Sequence, residues 1–175
     1  EDTVAEILSD VKKNGDQSLF SYTLKFDGCQ IDETSLQVTE AEFREAEEKI
    51  DQELLSVMKK AAKRIQDYHQ KQVRQSFIST EEDGSILGQR ITPIQRVGVY
   101  VPGGKAAYPS STLMNVIPAK VAGVKEIVMT TPPGKDGKVN PAILCAAKIA
   151  GVNTIYKVGG AQAIAALAYG TESIP

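Results

Sequence analysis

Two glycine pairs are the first residues whose types and spacing suggest chemistry. Gly103-Gly104 follows the apolar run Arg96–Val101, and Gly159-Gly160 follows the run Thr154–Val158. Read as strands of an open parallel sheet, both runs would place their glycines at the carboxyl ends, where ligands of such sheets bind. Glycine lets the backbone approach a ligand closely. The N–H groups of a helix starting after Gly160 would suit a phosphate or pyrophosphate. A tight strand-to-helix turn with no ligand needs the same glycines, so the pairs alone leave both readings open. Neither pair fits a standard nucleotide fingerprint. Val99 stands where a P-loop needs its first glycine, and Ala106 follows Lys105 where a Ser or Thr is required. Neither loop reads G-x-G-x-x-G, and the strand Glu126–Thr130 ends in Thr130-Thr131 with no acid for a ribose hydroxyl. A dinucleotide held here would be held in a non-standard way.

Other reactive residues are sparse. Cys145 lies among Ile143, Leu144, Ala146 and Ala147, an apolar helical setting that argues for burial. A nucleophilic thiol needs exposure and a base. Cys29 follows Asp27-Gly28 in a polar turn. The two cysteines lie 116 positions apart and form no C-x-x-C, which reads as free thiols in a reducing, cytoplasmic setting. The single histidine, His69, sits beside Tyr68 and Gln70 near a helix end and reads as a surface residue. One histidine and two isolated cysteines argue against a closed zinc site within this chain. Glu126 and Glu172 are isolated, so no carboxylate pair for acid–base work is identifiable.

The elements that would position these residues fall into two parts. Thr3–Glu6 reads as a capping box ahead of Val4, Ile7, Leu8 and Val11 at helical spacing, with Asn14-Gly15 as the stop. Asp16 is positioned to cap a second helix reaching Phe26, and 36–38 suits a short strand. Thr39–Glu42 is another capping box, and Asp51 caps a longer helix carrying Leu54, Val57, Met58, Ala61, Ile65 and Tyr68. Residues 76–79 and 86–91 flank the turn Glu81–Gly84 and predict a β-hairpin. From residue 96 the pattern alternates strand and helix: 96–101, then a helix 111–122 capped by Ser110 and kinked at Pro118. Strand 126–130 follows, then a helix from Pro141 to Ala150 capped by Asn140, strand 154–158 and helix 161–169. Such alternation implies an α/β fold with a parallel sheet. A fourth strand would be due where the sequence stops at Pro175, which reads as truncation.

The chain has 175 residues, 42% hydrophobic and 24% charged, with a net charge of −2. Residues 1–97 carry 13 basic against 19 acidic residues, and residues 98–175 carry 7 against 3. The overall acidity argues against a nucleic-acid surface. No apolar run approaches the ~18 residues of a membrane helix.

Several stretches resemble one enzyme family. Arg96–Lys105 (RVGVYVPGGK), Tyr108–Gly123 (YPSSTLMNVIPAKVAG) and Val158–Pro175 (VGGAQAIAALAYGTESIP) are similar to histidinol dehydrogenases, and Val11–Asp16 and Tyr22–Gly28 resemble that family's N-terminal segment. The resemblance reaches only the N-terminal part of the family's longer chains. It implies two incomplete Rossmann-like domains, with residues 1–97 as the helical start of the first, hairpin included, and 98–175 as most of an NAD-binding second. It implies oxidation of L-histidinol to L-histidine through histidinal, with two NAD and one zinc ion, in a homodimer. Tyr100 and Gln162 match the family's NAD-contacting Tyr and Gln. A further NAD-contacting Asn, the zinc ligands and the catalytic Glu and His would lie beyond Pro175. In the implied mechanism zinc positions the substrate, a His takes the alcohol proton as hydride leaves, and a Glu activates water for the second step. Two other readings stand beside it: a relative oxidising another alcohol, and a non-catalytic nucleotide-binding or interaction module ending at Pro175.

Overall fold

The structure, a computed structural model, describes residues 2–103 and 107–175. The Gly104 and Lys105 of the first glycine loop lie outside the described residues. The elements run α1 (Asp2–Asn14), α2 (Asp16–Asp27), α3 (Glu40–Lys49), α4 (Gln52–Gln70), β1 (Phe77–Thr80), β2 (Ile86–Gln89), β3 (Arg96–Tyr100), α5 (Pro109–Val121), β4 (Glu126–Thr130), α6 (Pro141–Ala150), β5 (Thr154–Tyr156) and α7 (Gly160–Tyr169). The predicted α/β class holds. β3, β4 and β5 form a parallel sheet in that order, and β1 and β2 form a separate antiparallel hairpin. The 36–38 segment adds to the far side of β5 as an antiparallel bridge, with Val38 N–H donating to Ile155 and Lys157 N–H to Leu36.

Strand alternation explains why the sheet is covered on both faces. Val99, Val101, Ile127, Met129 and Ile155 point into one core with α3 to α6. Val128, Tyr156 and Val158 point into the other with α1, α2 and α7. β4, the middle strand, is buried from Ile127 to Thr130, as a strand with both faces covered must be. Each fully buried Leu, Ile or Met here contributes about 1.5–3 kcal/mol of transfer free energy. Helices from before residue 97 therefore cover both faces of the sheet formed after it: α4 packs on α5 and α6, α3 on α6, and α1 and α2 on α7.

Local signals held at α3, α4 and α6. Thr39 and Glu42 form the predicted capping box, Asp51 accepts from Glu53 and Leu54, and Asn140 accepts from Ala142 with Pro141 in the first turn. Three helix starts differ. α1 begins at Asp2, so Thr3 lies inside the helix rather than capping it. Gly15, at φ 52°, precedes α2, and its cap comes from far away: the N–H of Asp16 donates to Glu172 at 2.8 Å, and the Ser173 hydroxyl donates to the Asp16 carboxylate. α5 begins at Pro109, because proline is pre-set for the first helical position, and Ser110 is therefore already helical. The helix continues through Pro118 to Val121.

Candidate functional site

The carboxyl ends of β3, β4 and β5 come together with the start of α7. Ladder bonds continue past the strands, with Val101 N–H donating to Thr130 and Thr131 N–H to Tyr156. The two glycine turns meet over one residue, Pro132. A side chain at Gly103 would meet the Pro132 ring at 2.8 Å, and one at Gly159 would meet it at 2.6 Å. Both positions thus require glycine for the close approach of loop to loop. This is the packing reason for the first glycine of each pair.

Gln162, in the first turn of α7, is 1% exposed, and neither its Oε1 nor its Nε2 has a hydrogen-bond partner among the described residues. Such a group costs about 1–3 kcal/mol of desolvation when left unpaired. Its amide folds back over the helix start: a Cβ on Gly160 would lie 2.5 Å from Gln162 Oε1, and Gly160 holds a φ of 65°. Gly159, just ahead of α7, has no side chain with which to cap the helix. The amide and the helix's positive end therefore face the same place.

Tyr100 ends β3 opposite Thr130 in the register. Gly98, two residues earlier, faces Leu167 of α7, and Tyr100 packs on the same core as α7. Tyr100 and Gln162 thus stand on one face of the sheet. Thr130, Thr131 and Thr112 also bury hydroxyls without partners among the described residues. Thr130 shares Tyr100's face by strand alternation, and no spacing in the sequence flagged these threonines.

A cavity of about 290 Å³ opens on the other face, between α3 and the start of α6. Its lining includes Gly103, Pro132, Asn140, Glu42, Glu45 and Lys138, but neither Tyr100 nor Gln162. Its charges are satisfied within the chain. Glu45 binds Lys138 and Lys49, each at 2.6 Å, and Lys138 first, then Lys49, hold its carboxyl down at about 2. Lys157, just after β5, binds Glu42 at 2.9 Å in a largely buried pair. Burial pushes the Glu42 carboxyl up, but Thr39 and Lys157 outweigh it and hold it below its ordinary value.

Both thiols are buried. Cys145 is 2% exposed, meeting the expectation of burial, and desolvation raises its pKa. Cys29 is buried as well and shifted the same way, first by desolvation. His69 Nδ1 lies 2.6 Å from Gln72 Oε1, and its ring stands edge-on to Tyr68. Among the described residues no three His, Cys, Asp or Glu side chains are grouped to hold a metal ion.

The family model for histidinol dehydrogenase matches residues 1–175. The chain belongs to the histidinol dehydrogenase family. Over 171 residues it is 57% identical to the histidinol dehydrogenase of Geobacillus kaustophilus, covering 98% of this chain and 40% of that one. It is 56% identical over 172 residues to that of Bacillus subtilis, again covering 98% and 40%. The crystal structure of histidinol dehydrogenase from Elizabethkingia anophelis superposes with a TM-score of 0.93 at 37% identity, covering 99% of this chain and 40% of that chain. The chain thus spans about 40% of the length of the family members it matches. Among the described residues no helix is long and apolar enough to cross a membrane.

Proposed function

We propose that this chain is the cofactor-binding part of a cytoplasmic, homodimeric enzyme that oxidises L-histidinol to L-histidine through histidinal with NAD. One observation carries the reading. A fully buried Gln162 amide with no partner among the described residues lies over the start of α7 at the carboxyl end of the sheet. A core amide of that kind is unfavourable unless a ligand or water completes it. Gln162 would bind NAD through its amide, Tyr100 would contact it from the end of β3, and the N–H groups of α7 would favour its pyrophosphate. On this reading residues 98–175 are most of the NAD-binding domain, and 1–97 begin the other large domain while packing against it.

NAD, when bound, supplies the hydride acceptor. This chain's residues bind and orient it, and the Gly103–Pro132–Gly159 contact fixes the two loops at the strand ends. Zinc does not fit the residues described here, which offer no ligand group. The zinc ligands and the acid–base groups of the reaction are therefore assigned to the remainder of the family's length.

The test is spectrophotometric. The full-length protein should reduce NAD on addition of L-histidinol, while the 175-residue chain should not. Gln162→Ala in the full-length protein should weaken NAD binding by about 1–2 kcal/mol, for one or two lost hydrogen bonds, with zinc content unchanged. Unaltered NAD affinity in both Tyr100→Ala and Gln162→Ala, with the fold intact, removes the site. Activity in the 175-residue chain alone would overturn the division of labour.

A further inference from the structure

α2 turns one stripe inward. Asp16, Leu19 and Thr23 are buried along it, and the half-buried Asp27 closes it, at the three- and four-residue spacing that keeps side chains on one helix face. An apolar stripe would suffice for packing on α7, yet its last two residues are polar. Among the described residues the Thr23 hydroxyl and Asp27 Oδ2 are buried without a hydrogen-bond partner, and Asp27 joins no salt bridge. Burial raises the Asp27 carboxyl above its ordinary value. Asp27 is also the last residue of α2, at the negative end of the helix dipole, which disfavours an acid there. Packing gains nothing from this carboxylate, whereas a ligand that donates hydrogen bonds would complete it.

The path of α2 decides what such a ligand can be. Its start is tied to the segment after α7: the Asp16 N–H donates to Glu172, and the Ser173 hydroxyl donates to Asp16. Its end meets the loop after β4. A Cβ on Gly28 would lie 4.0 Å from Lys135 Cγ, and one on Gly137 would lie 3.7 Å from Cys29 Sγ. α2 therefore runs alongside α7 in the opposite sense, and the two are alike in length, about 18 and 15 Å. Asp27 thus stands at the carboxyl end of the sheet, where α7 begins and Gln162 lies. β4 ends in Thr130-Thr131, with no acid for a ribose hydroxyl, and α2 brings one from outside the sheet. The zinc ligands and acid–base groups are assigned to the rest of the family's length, so the nicotinamide end of NAD faces that part. The adenosine end is left to this chain.

We infer that Asp27 selects NAD over NADP: its carboxylate accepts hydrogen bonds from the adenosine ribose hydroxyls, and a 2′-phosphate in that place would set a second anion against it. This rests on the NAD site proposed above and adds to it a residue from the first part of the chain.

Calorimetric titration of the full-length protein tests it, with NAD, NADP and NAD lacking the 2′-hydroxyl of its adenosine ribose. The wild-type protein should bind NAD at least about tenfold tighter than either of the others. Asp27→Ala should lose about tenfold in NAD affinity, bind the 2′-deoxy analogue as tightly as NAD, and narrow the NAD-to-NADP ratio at least about tenfold. Asp27→Asn, which keeps the shape and removes the charge, should narrow that ratio by a similar factor. Circular dichroism should stay unchanged in both variants. A purely structural Asp27 would shift Tm and leave both ratios as they are. Equal wild-type affinity for NAD and NADP overturns the assignment, and so do ratios that neither variant changes; the second result would mean that the rest of the polypeptide completes the carboxylate. Either result leaves the NAD site standing if Tyr100→Ala and Gln162→Ala weaken NAD binding. If those two variants leave NAD affinity unaltered, the site falls and the role of Asp27 with it.

Discussion

Replacing Gln162 by methionine should separate fold from function in opposite directions. The side chain is 1% exposed, and neither amide atom has a partner among the described residues. Methionine is of similar length and flexible enough to take the path back over Gly160. Leaving a buried polar group unpaired costs about 1–3 kcal/mol, and an apolar replacement of like shape removes that cost. Allowing for imperfect repacking, Gln162→Met should stabilise the ligand-free chain by about 1–2 kcal/mol. For a chain of this size each kcal/mol raises Tm by about 2–4 °C. The same change removes the hydrogen bonds offered to NAD, so affinity in the full-length protein should fall about 5- to 30-fold. Urea unfolding of the chain gives the first quantity, and calorimetric titration of the full-length protein with NAD gives the second. A variant destabilised by more than about 1 kcal/mol, with NAD affinity unchanged, would refute the reasoning. It would mean that an internal water satisfies the amide and that Gln162 is a structural residue.

Lys157→Met should destabilise the chain by about 2–3 kcal/mol, because Glu42 loses its buried cation, and adding Glu42→Gln should recover most of that in chemical denaturation. Glu42 and Glu45 both sit below the ordinary glutamate value. Each therefore contributes stability that is present above the ordinary glutamate value of about 4.3 and lost as pH falls below it, for Glu45 as pH falls towards about 2. Tm measured over that range should drop, and the Glu42→Gln/Glu45→Gln variant should show a shallower drop; equal slopes would remove these carboxylates as the cause. Cys29 and Cys145 should react with a thiol reagent only after denaturant is added, since both are buried with raised pKa values; rapid labelling of the native chain would contradict the packing. Glu172→Ala should cost about 1 kcal/mol in thermal unfolding by uncapping α2, and an unchanged Tm would show that water replaces it.

Much of the fold was readable from local chemistry. Thr39 with Glu42, Asp51, and Asn140 with Pro141 place three helix starts, because a cap and the groups it satisfies lie within three residues. The apolar runs at 96–101, 126–130 and 154–158, separated by helical stretches, give the parallel sheet for the same reason: period and length are local properties. The cap of α2 was not readable, because Glu172 lies 156 residues away. The hairpin was visible, but nothing in its residues told that the chain before and after would leave both its faces bare. For the site, resemblance named Tyr100 and Gln162, and strand-end reasoning placed them near a ligand position. Only the packing of α7 on β3 puts them on one face, and only burial leaves the Gln162 amide without a partner among the described residues. The glycine pairs divide most sharply. Their position after two strands follows from sequence order, whereas the need for glycine at 103 and 159 comes from Pro132, which the sheet brings between two loops 56 residues apart. Contacts between distant residues depend on how strands order and faces pack, and that free energy belongs to the whole core rather than to any window of the sequence.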